Sequence, residues 1–461
     1  MYFEQIYLGC LAHASYLLGS NGVGVVIDPR RDVEVYLEAA EKHGLKIAHI
    51  FETHLHADFV SGHRELARRT GAQIYIGAYA GAKFPHVAIH DGFELSFGDC
   101  RLRALETPGH TPESVCLLVF DPELQPQPWA VLTGDTLFIG DVGRPDLSPT
   151  HSPQQLAAML YDSLHEKLLT LPDAVTVYPA HGAGSLCGRS MRAESFSTIG
   201  TERLTNPMLQ IGSRYEFVRE LTAHLPTRPD YFSQDAEINR AGATGLDEMT
   251  PLPALPAAEF DSLRKSGAVV VDVRPSADFA AGHVPGSINI GLSGQFATWA
   301  AIVLGLHTPV ILVADSPDQA LEARMRMARV GIEDVAGYLA DGIAGWKRAG
   351  YARAVMTQIS ARELRSALRR GLQVLDVRRE PEWEAGHIEG ATWAPLDGFR
   401  RGLPELDKQS RIAVHCKGGY RSALACSLLM RAGFENVIDV AGGYDAWLEE
   451  EKPAVAQPVR G

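Results

Sequence analysis

The second half of this chain contains one sequence unit twice, and this repeat restricts how that half can fold. Residues 271–274 read VDVR and are followed by His283, and residues 375–378 read LDVR and are followed by His387 at the same spacing. Each copy continues with an apolar strand and a helix that closes on Arg-x-Gly, and each ends in a glycine-containing turn before a tryptophan, DGIAGW or GGYDAW. Because each copy has strands and helices of its own, the repeat predicts two α/β domains of one fold.

In the first half, metal-capable side chains follow several predicted strands. The strand that ends at Thr53 runs into HLHAD at residues 54–58, and three later strand ends are followed by His110, Asp135 and His181. In an open α/β sheet the functional site lies where the strands end. Since imidazole and carboxylate groups are the usual ligands of Zn²⁺ and non-haem Fe²⁺, these four loops predict a metal site.

A linker separates the two halves. Residues 241–256, AGATGLDEMTPLPALP, are rich in Gly, Pro and Ala, which is typical of a connecting segment. A chain of 461 residues also has the length of about three domains. We therefore place the domains at residues 1–245, 252–352 and 355–461.

Composition excludes several classes of function. The chain has 56 acidic and 43 basic residues, a formal net charge of −13, which argues against a nucleic-acid partner. The N-terminus lacks the pattern of a secretory signal, and no apolar run is long enough to predict a membrane span. The six cysteines are widely separated and form no CxxC, so they do not indicate a disulfide framework. We expect a cytoplasmic protein that acts on small molecules.

The metal-site pattern resembles the metallo-β-lactamase superfamily, which implies an αββα sandwich over about residues 1–240. The resemblance rests on HLHAD and on the loops of His110, Asp135 and His181. Dinuclear zinc hydrolases of that superfamily carry HxHxDH, whereas here Phe59 follows Asp58. Phenylalanine cannot bind a metal, so we expect one metal held by two histidines and one carboxylate, with coordination positions left open.

Within the superfamily, the segments THLHAD, TPGHT and GDTLFIGDVGRPD look like those of the persulfide dioxygenases. That resemblance implies one Fe²⁺ per chain, bound by His54, His110 and Asp135. By the same resemblance, three further polar residues orient the ligands and water: His56, Asp58 and His181. Arg144, in GRPDL beside Asp146, would bind an anionic substrate. A structural or solvated arginine is the alternative.

A second candidate site lies in the last domain, in the segment HCKGGYRS at residues 415–422. The segment falls between a predicted buried strand and a helix, where backbone N–H groups can converge on the sulfur of Cys416. Glycines allow the loop to curl, and two cations favour a thiolate. We expect Cys416, Lys417 and Arg421 to act in catalysis, and the substrate to contact Gly418, Gly419 and Tyr420.

This loop resembles the active-site loop of the rhodaneses, over about residues 355–450. By that resemblance Cys416 carries the sulfane sulfur and Arg421 closes and polarises the loop. The middle copy has Ala314-Asp315-Ser316 in the corresponding place, and it contains no cysteine. We expect it to be a rhodanese-like domain that packs and positions its neighbour without thiol chemistry.

The other five cysteines comprise one candidate for reactivity, one weaker candidate and three expected core residues. Cys187 closely follows His181, in HGAGSLCG, and can be either a relay for persulfide sulfur or a small apolar filler. Cys10 is a weaker candidate for reactivity. We expect the core to contain Cys100, Cys116 and Cys426.

The order of the three domains resembles the persulfide dioxygenase–sulfurtransferase fusions of sulfide detoxification. That resemblance implies oxidation of a low-molecular-weight thiol persulfide by O₂ to sulfite, and rhodanese transfer of sulfur among persulfide, sulfite and thiosulfate. We also expect a homo-oligomer. Two alternatives stay open: a zinc thioester hydrolase of the glyoxalase II type with an attached sulfurtransferase, and a non-catalytic protein that binds or senses sulfur compounds.

Overall fold

The structure is a computed structural model that describes residues 1–124, 126–223 and 225–451. It divides into two compact units. One comprises Met1–Thr250 with Ala328–Gly331, and the other comprises Pro251–Met327 with the chain that follows Gly331. The predicted end of the last domain, at residue 461, lies outside the described residues. None of the helices within these ranges has the length and apolar character that a membrane span requires.

In its described residues, the first unit contains two six-stranded sheets and six α-helices. Its strands are β1 (Tyr2–Leu8), β2 (His13–Ser20), β3 (Val23–Ile27), β4 (Lys46–Glu52), β5 (Gln73–Gly77), β6 (Val87–Ile89), β7 (Glu94–Phe97), β8 (Cys100–Glu106), β9 (Val115–Phe120), β10 (Ala130–Gly134), β11 (Thr176–Pro179) and β12 (Ser197–Thr198). Its helices are α1 (Glu34–Lys42), α2 (His63–Thr70), α3 (Pro153–Glu166), α4 (Ile199–Thr205), α5 (Arg214–Ala223) and α6 (Phe232–Ala241).

The two sheets pack face to face, with helices on the outer faces. One sheet has the strand order β1-β2-β3-β4-β5-β6, and the other has the order β12-β11-β10-β9-β8-β7. Side chains from both sheets, such as Val25 and Leu117, share one central core. Helices α1 and α2 cover the outer face of the first sheet, and α3, α4 and α5 cover the second. The predicted αββα sandwich is therefore confirmed.

The ends of strands from both sheets meet at the predicted metal site. Strand β4 leads into residues 54–58, and Thr53 accepts a backbone hydrogen bond from Val115 of the other sheet at 2.8 Å. Strands β10 and β11 run parallel; Asp135 directly follows the first, and His181 follows the second after one residue. Loops from separate strands thus reach one edge of the sandwich, as parallel topology predicts.

The second unit contains two five-stranded sheets, and each is parallel throughout. The first copy consists of β13 (Ala254–Leu255), α7 (Ala257–Lys265), β14 (Val269–Asp272), α8 (Ser276–Ala281), β15 (Ile288–Asn289), α9 (Phe296–Leu304), β16 (Val310–Val313), α10 (Pro317–Ala328), β17 (Val335–Leu339) and α11 (Gly342–Arg348). The second consists of β18 (Thr357–Ile359), α12 (Ala361–Leu368), β19 (Gln373–Asp376), α13 (Glu380–Glu384), β20 (Thr392–Trp393), β21 (Ile412–His415), α14 (Tyr420–Arg431), β22 (Val437–Val440) and α15 (Gly443–Glu451).

The two copies have the same strand order, and their registers can be compared residue by residue. The order is β13-β17-β16-β14-β15 in one and β18-β22-β21-β19-β20 in the other. Asp272 pairs with Val313, and Asp376 pairs with His415. Ala314 therefore corresponds to Cys416, and Asp315 to Lys417. The middle copy has three residues before helix α10, where the last copy has four before α14, so its loop is shorter as well as thiol-free.

Candidate functional site

Three of the predicted ligands converge at the edge of the sandwich. Asp135 Oδ2 lies 3.3 Å from His110 Nε2 and 3.7 Å from His54 Nε2. All three side chains are buried, and these three atoms have no hydrogen-bond partner among the described residues. Unpartnered buried polar atoms are costly, and two imidazole nitrogens with one carboxylate oxygen suit Fe²⁺ or Zn²⁺. The residues present therefore fit a metal ion.

Each ligand histidine is oriented through its other ring nitrogen. His110 Nδ1 lies 2.9 Å from the carbonyl oxygen of Arg144. His54 Nδ1 lies 3.0 Å from the hydroxyl of Thr53, which itself donates to Asp28. Both Nδ1 atoms therefore carry the proton, which leaves the Nε2 lone pairs free for a metal. Burial holds the pKa of His54 and of His110 below the ordinary value, which favours these neutral rings.

His56 faces away from this group of ligands. Its Nε2 lies 3.2 Å from Asp28 Oδ1 and 3.4 Å from Glu52 Oε2. Although burial lowers its pKa, these two carboxylates raise the pKa of His56 well above the ordinary value. His56 is thus a buried imidazolium that connects Asp28, next to β3, with Glu52 of β4. These contacts hold the loop that carries His54.

A second group of ligand-capable atoms adjoins the first. His181 Nδ1 donates to Asp135 Oδ1 at 2.8 Å, and its Nε2 lies 3.0 Å from Asp58 Oδ2. The buried thiol of Cys187 completes this group, with its sulfur within 4.8 Å of the ligand atoms of Asp58 and His181. Burial and the carboxylates of Asp58 and Asp135 raise the pKa of Cys187 well above the ordinary value. This favours a protonated thiol over the thiolate that a sulfur relay needs.

Phe59 fills the space beside this second group. Its side chain is fully buried, and its ring centroid lies 4.4 Å from that of His56 and 4.2 Å from that of His13. His13 begins strand β2 and was not singled out by the sequence reasoning, because no local motif marks it. It is held close to His181 by backbone hydrogen bonds, from Ala14 to Ala180 and from Gly182 to Ala12.

Arg144 is buried, and its guanidinium group is occupied by protein contacts. It forms two hydrogen bonds with Asp146, at 2.6 and 2.9 Å, and donates to the carbonyl oxygens of Leu186 and Pro226. These contacts fix the loop that orients His110. They favour the structural alternative over the predicted contact with substrate.

The sulfur loop has the geometry of an anion cradle around Cys416. The thiol is buried, and the backbone N–H of Gly419 donates to its sulfur at 3.2 Å. The sulfur also lies 3.7 Å from the Ser422 hydroxyl, in the first turn of α14. Gly419 adopts φ +96°, a left-handed conformation that favours glycine. Gly418 and Lys417 are exposed at the mouth of the loop.

Two other residues of the loop contact protein groups. Arg421 forms two hydrogen bonds of 2.6 Å with Glu382 of helix α13, a partner that the motif alone did not reveal. Tyr420, predicted to bind substrate, donates its hydroxyl to the carbonyl oxygen of Gly291 in the middle copy at 2.8 Å. Arg421 therefore joins the sulfur loop to helix α13 through the Glu382 carboxylate. Tyr420 joins the loop to the middle copy.

Comparison with known proteins defines the class to which the chain belongs. Residues 8–181 match the model of the metallo-beta-lactamase superfamily, and residues 256–349 and 360–450 match that of the rhodanese-like domain. A crystal structure of a metallo-beta-lactamase from Staphylococcus aureus is 32% identical, with a TM-score of 0.66 over 74% of this chain and 98% of that one. The chain belongs to the metallo-beta-lactamase superfamily and carries two rhodanese-like domains.

The relatives of the first domain narrow this class. The bovine mitochondrial persulfide dioxygenase ETHE1 is 34% identical over 213 residues, which cover 44% of this chain and 74% of the relative. A hydroxyacylglutathione hydrolase from Rhizobium etli is 34% identical over 216 residues, which cover 41% of this chain and 78% of the relative. The first domain is thus a homologue of persulfide dioxygenases and also of hydroxyacylglutathione hydrolases.

Proposed function

We propose that the first domain is a mononuclear iron dioxygenase that oxidises a low-molecular-weight thiol persulfide to sulfite. The observation that carries this proposal is the buried group of His54, His110 and Asp135, with three unpartnered ligand atoms and Phe59 where a dinuclear site needs a histidine. The homology to persulfide dioxygenases supports it. In the net reaction a persulfide, O₂ and water give a thiol, sulfite and two protons.

The protein's own residues would hold and shape this centre. His54, His110 and Asp135 would bind the ion, and ferrous iron at such a site would supply the redox chemistry that O₂ requires. Thr53 and the carbonyl of Arg144 fix the ligand rings, and His181 fixes the carboxylate of Asp135. The burial of the ligands excludes bulk water, which protects a reactive sulfur product.

We propose that the last domain transfers sulfane sulfur through Cys416. The thiolate would take a sulfur atom from a persulfide, and the resulting Cys416 persulfide would pass it to sulfite, which gives thiosulfate and restores the thiolate. The N–H of Gly419, which donates to the Cys416 sulfur, would stabilise the anionic sulfur in both states, and Arg421, paired with Glu382, would hold the loop closed. Serial action of the two domains would convert persulfide and O₂ to thiosulfate.

A second candidate function for the first domain is thioester hydrolysis with zinc. The group formed by Asp58, His181 and Cys187 favours it, because these residues can bind a second ion beside the first. The homology to hydroxyacylglutathione hydrolases also favours it. The two candidates differ in the number and identity of the metal ions.

Metal content and O₂ uptake test the proposal together. Protein purified without oxygen should contain one Fe per chain and should consume O₂ when given a thiol persulfide. The His110→Ala and Asp135→Ala variants should lose iron and O₂ uptake but keep sulfurtransferase activity, whereas Cys416→Ser should show the reverse. Active enzyme with two zinc ions and no iron would favour the hydrolase.

A further inference from the structure

Tyr420 lies in the sulfur loop, but its side chain reaches into the middle copy. It is the first residue of helix α14, and its hydroxyl donates to the carbonyl oxygen of Gly291 at 2.8 Å. Its ring lies against Gly294, where a Cβ would be 3.8 Å from the ring. Burial raises the pKa of Tyr420, so the hydroxyl stays protonated and remains a donor. The middle copy therefore holds this side chain at both its hydroxyl and its ring.

The segment that receives Tyr420, residues 291–294, is itself fixed within the middle copy. The guanidinium group of Arg326, on helix α10, donates to the carbonyl oxygen of Leu292 at 2.5 Å. The backbone N–H of Leu292 donates to the carbonyl oxygen of Val273 at 3.0 Å, next to strand β14. This segment therefore gives the tyrosine a supported partner.

The internal repeat indicates that the fold does not require a tyrosine at this position. Helices α10 and α14 correspond in the two copies, and each has 12 residues. The first residue of α10 is Pro317, and proline is favoured in the first turn of a helix. The first residue of α14 is Tyr420, and an aromatic residue gives a helix no such advantage. The tyrosine occurs in the copy that carries the thiol, where its contact with the middle copy accounts for it.

The sulfur loop needs a restraint from outside, because two glycines give it little stiffness of its own. Gly418 and Gly419 have no Cβ and can adopt many backbone conformations. In the observed one, Gly419 has φ +96°, and its N–H donates to the sulfur of Cys416 at 3.2 Å. The carbonyl oxygen of Gly419 accepts a hydrogen bond from the Ser422 hydroxyl at 3.0 Å. Tyr420 follows Gly419 directly, so a fixed Tyr420 limits the rotation of the peptide that joins them, and with it the direction of the Gly419 N–H.

We propose that Tyr420 is a positioning residue through which the middle copy holds the Gly419 N–H on the sulfur of Cys416. A hydrogen bond from this N–H stabilises a thiolate or a persulfide anion more than a neutral thiol. The middle copy thereby supports the chemistry of the last copy without a reactive group of its own, and no covalent bond changes in this role. The inference rests on the proposed function only in taking Cys416 as the sulfur carrier. It replaces the predicted contact of Tyr420 with substrate.

The test is the pH midpoint for alkylation of Cys416 by iodoacetamide in the full-length protein, followed by mass spectrometry. Tyr420→Phe removes the hydroxyl alone. It should raise the midpoint by about 0.5 to 1 pH unit, because part of a hydrogen bond to a charged sulfur is lost. Tyr420→Ala also removes the ring and should raise the midpoint at least as much. If Tyr420→Ala does not fold, the result with Tyr420→Phe decides.

Arg326→Met carries the test into the other copy. It removes the support of residues 291–294, so it should raise the midpoint in the same direction. Measurement at about 1 M salt screens charges more than about 3 Å apart, so the lost positive charge does not itself produce the shift. The double variant Tyr420→Phe/Arg326→Met should shift the midpoint no further than the larger single change, because both act through one contact.

Arg431→Met is the matched control. Arg431 also donates from helix α14 to a carbonyl oxygen of the middle copy, that of Gly286, at 2.8 Å. It lies about three helical turns beyond Tyr420. Its loss should weaken the contact between the two copies and leave the midpoint unchanged, because the sulfur lies at the other end of the helix.

Sulfurtransferase kinetics separate positioning from substrate binding. Positioning predicts that kcat falls about three- to tenfold in Tyr420→Phe, with little change in KM for the sulfur donor. A higher KM with an unchanged alkylation midpoint would overturn the proposal and restore the predicted contact with substrate. An unchanged midpoint in Tyr420→Phe or in Arg326→Met would also overturn it, as would an equal shift in Arg431→Met. Alkylation needs no sulfur donor, so a wild-type protein without sulfurtransferase activity would contradict only the proposed function.

Discussion

His54 and His56 stand two residues apart and differ in charge because they face different neighbours. His54 points its Nε2 toward Asp135 and is neutral, whereas His56 lies between Asp28 and Glu52 and is cationic. Both carboxylates come from strands β3 and β4, at or next to the strand ends. The environment of each ring, and not the HxH spacing, determines which histidine is available to a metal.

Phe59 is the residue that we expect to limit the number of metal ions. Phe59→His would place an imidazole beside Asp58 and His181, so we predict more bound zinc and less O₂ uptake with persulfide. Metal analysis and an oxygen electrode measure the two effects. Phe59→Leu keeps an apolar side chain and should leave the metal content unchanged. The same metal count in Phe59→His as in wild type would show that other residues set this number.

The contacts of these residues divide into those that the sequence pattern predicted and those that it did not. The sequence pattern predicted that His54, His110 and Asp135 come together, because each follows a strand end, and parallel strands end at one edge. It did not reveal His13 beside Phe59, or the contact of Glu382 with Arg421. Those contacts join segments that are distant in the chain and carry no motif, so they follow only from the folded structure.

At the scale of elements, the glycine turn that closes each repeat holds the sulfur loop in place. In the last copy Gly443 adopts φ +56°, and the N–H groups of Tyr444 and Asp445 donate to the carbonyl oxygens of Cys416 and Lys417. A Cβ on Gly443 would lie 2.4 Å from the Cys416 carbonyl oxygen. In the middle copy, Gly342 is likewise close to the Ala314 carbonyl, with a corresponding distance of 2.9 Å. The N-terminus of the last helix therefore packs directly on the loop in both copies.

Gly443→Ala should disable this contact. We predict a loss of sulfurtransferase activity and of more than about 1–2 kcal/mol of unfolding free energy, because a left-handed alanine is strained and its Cβ also overlaps a carbonyl. Denaturant unfolding and a sulfurtransferase assay measure the two effects. Gly390→Ala is the matched control, since Gly390 also has a positive φ but has open space around it. Gly390→Ala should lower the unfolding free energy only by the strain of a left-handed alanine, and it should keep the sulfurtransferase activity.

Helix α3 gives a second test at this scale. Ser152 and Gln155 form a capping box at its first turn, with hydrogen bonds of 3.2 and 2.8 Å. Ser152→Ala should lower the unfolding free energy by about 1 kcal/mol, which denaturant unfolding can measure. Iron content should not change, because α3 supports the outer face of the sandwich and holds no predicted metal ligand. A loss of iron in this variant would show that the helix start and the ligand loops are coupled.

At the scale of the whole molecule, the repeat and the strand-end pattern account for most of the architecture. Both features are periodic or local, so they are readable in one sequence, and the fold class predicted from them is confirmed. The strand register fixes which residues of the two copies correspond, and it shows that Ala314 occupies the position of Cys416. The middle copy has the same sheet and the same closing glycine, but it has no thiol at the position that corresponds to Cys416. We therefore expect sulfur transfer in the last copy alone.

The joining of two proposed activities in one chain predicts that the product ratio is independent of protein concentration, a property that separate chains would not share. Cys416→Ser protein should consume O₂ with persulfide and release sulfite in place of thiosulfate, because no thiol accepts the next sulfur. An equimolar mixture of Cys416→Ser and His110→Ala proteins contains both sites, but on different chains. On dilution its ratio of thiosulfate to sulfite should fall, whereas that of wild type should hold, because linkage keeps the effective concentration of one site near the other constant. Chromatography of the two products measures the ratio. Equal dilution curves for the mixture and for wild type would show that sulfite passes through solution and that the fusion gives no kinetic advantage.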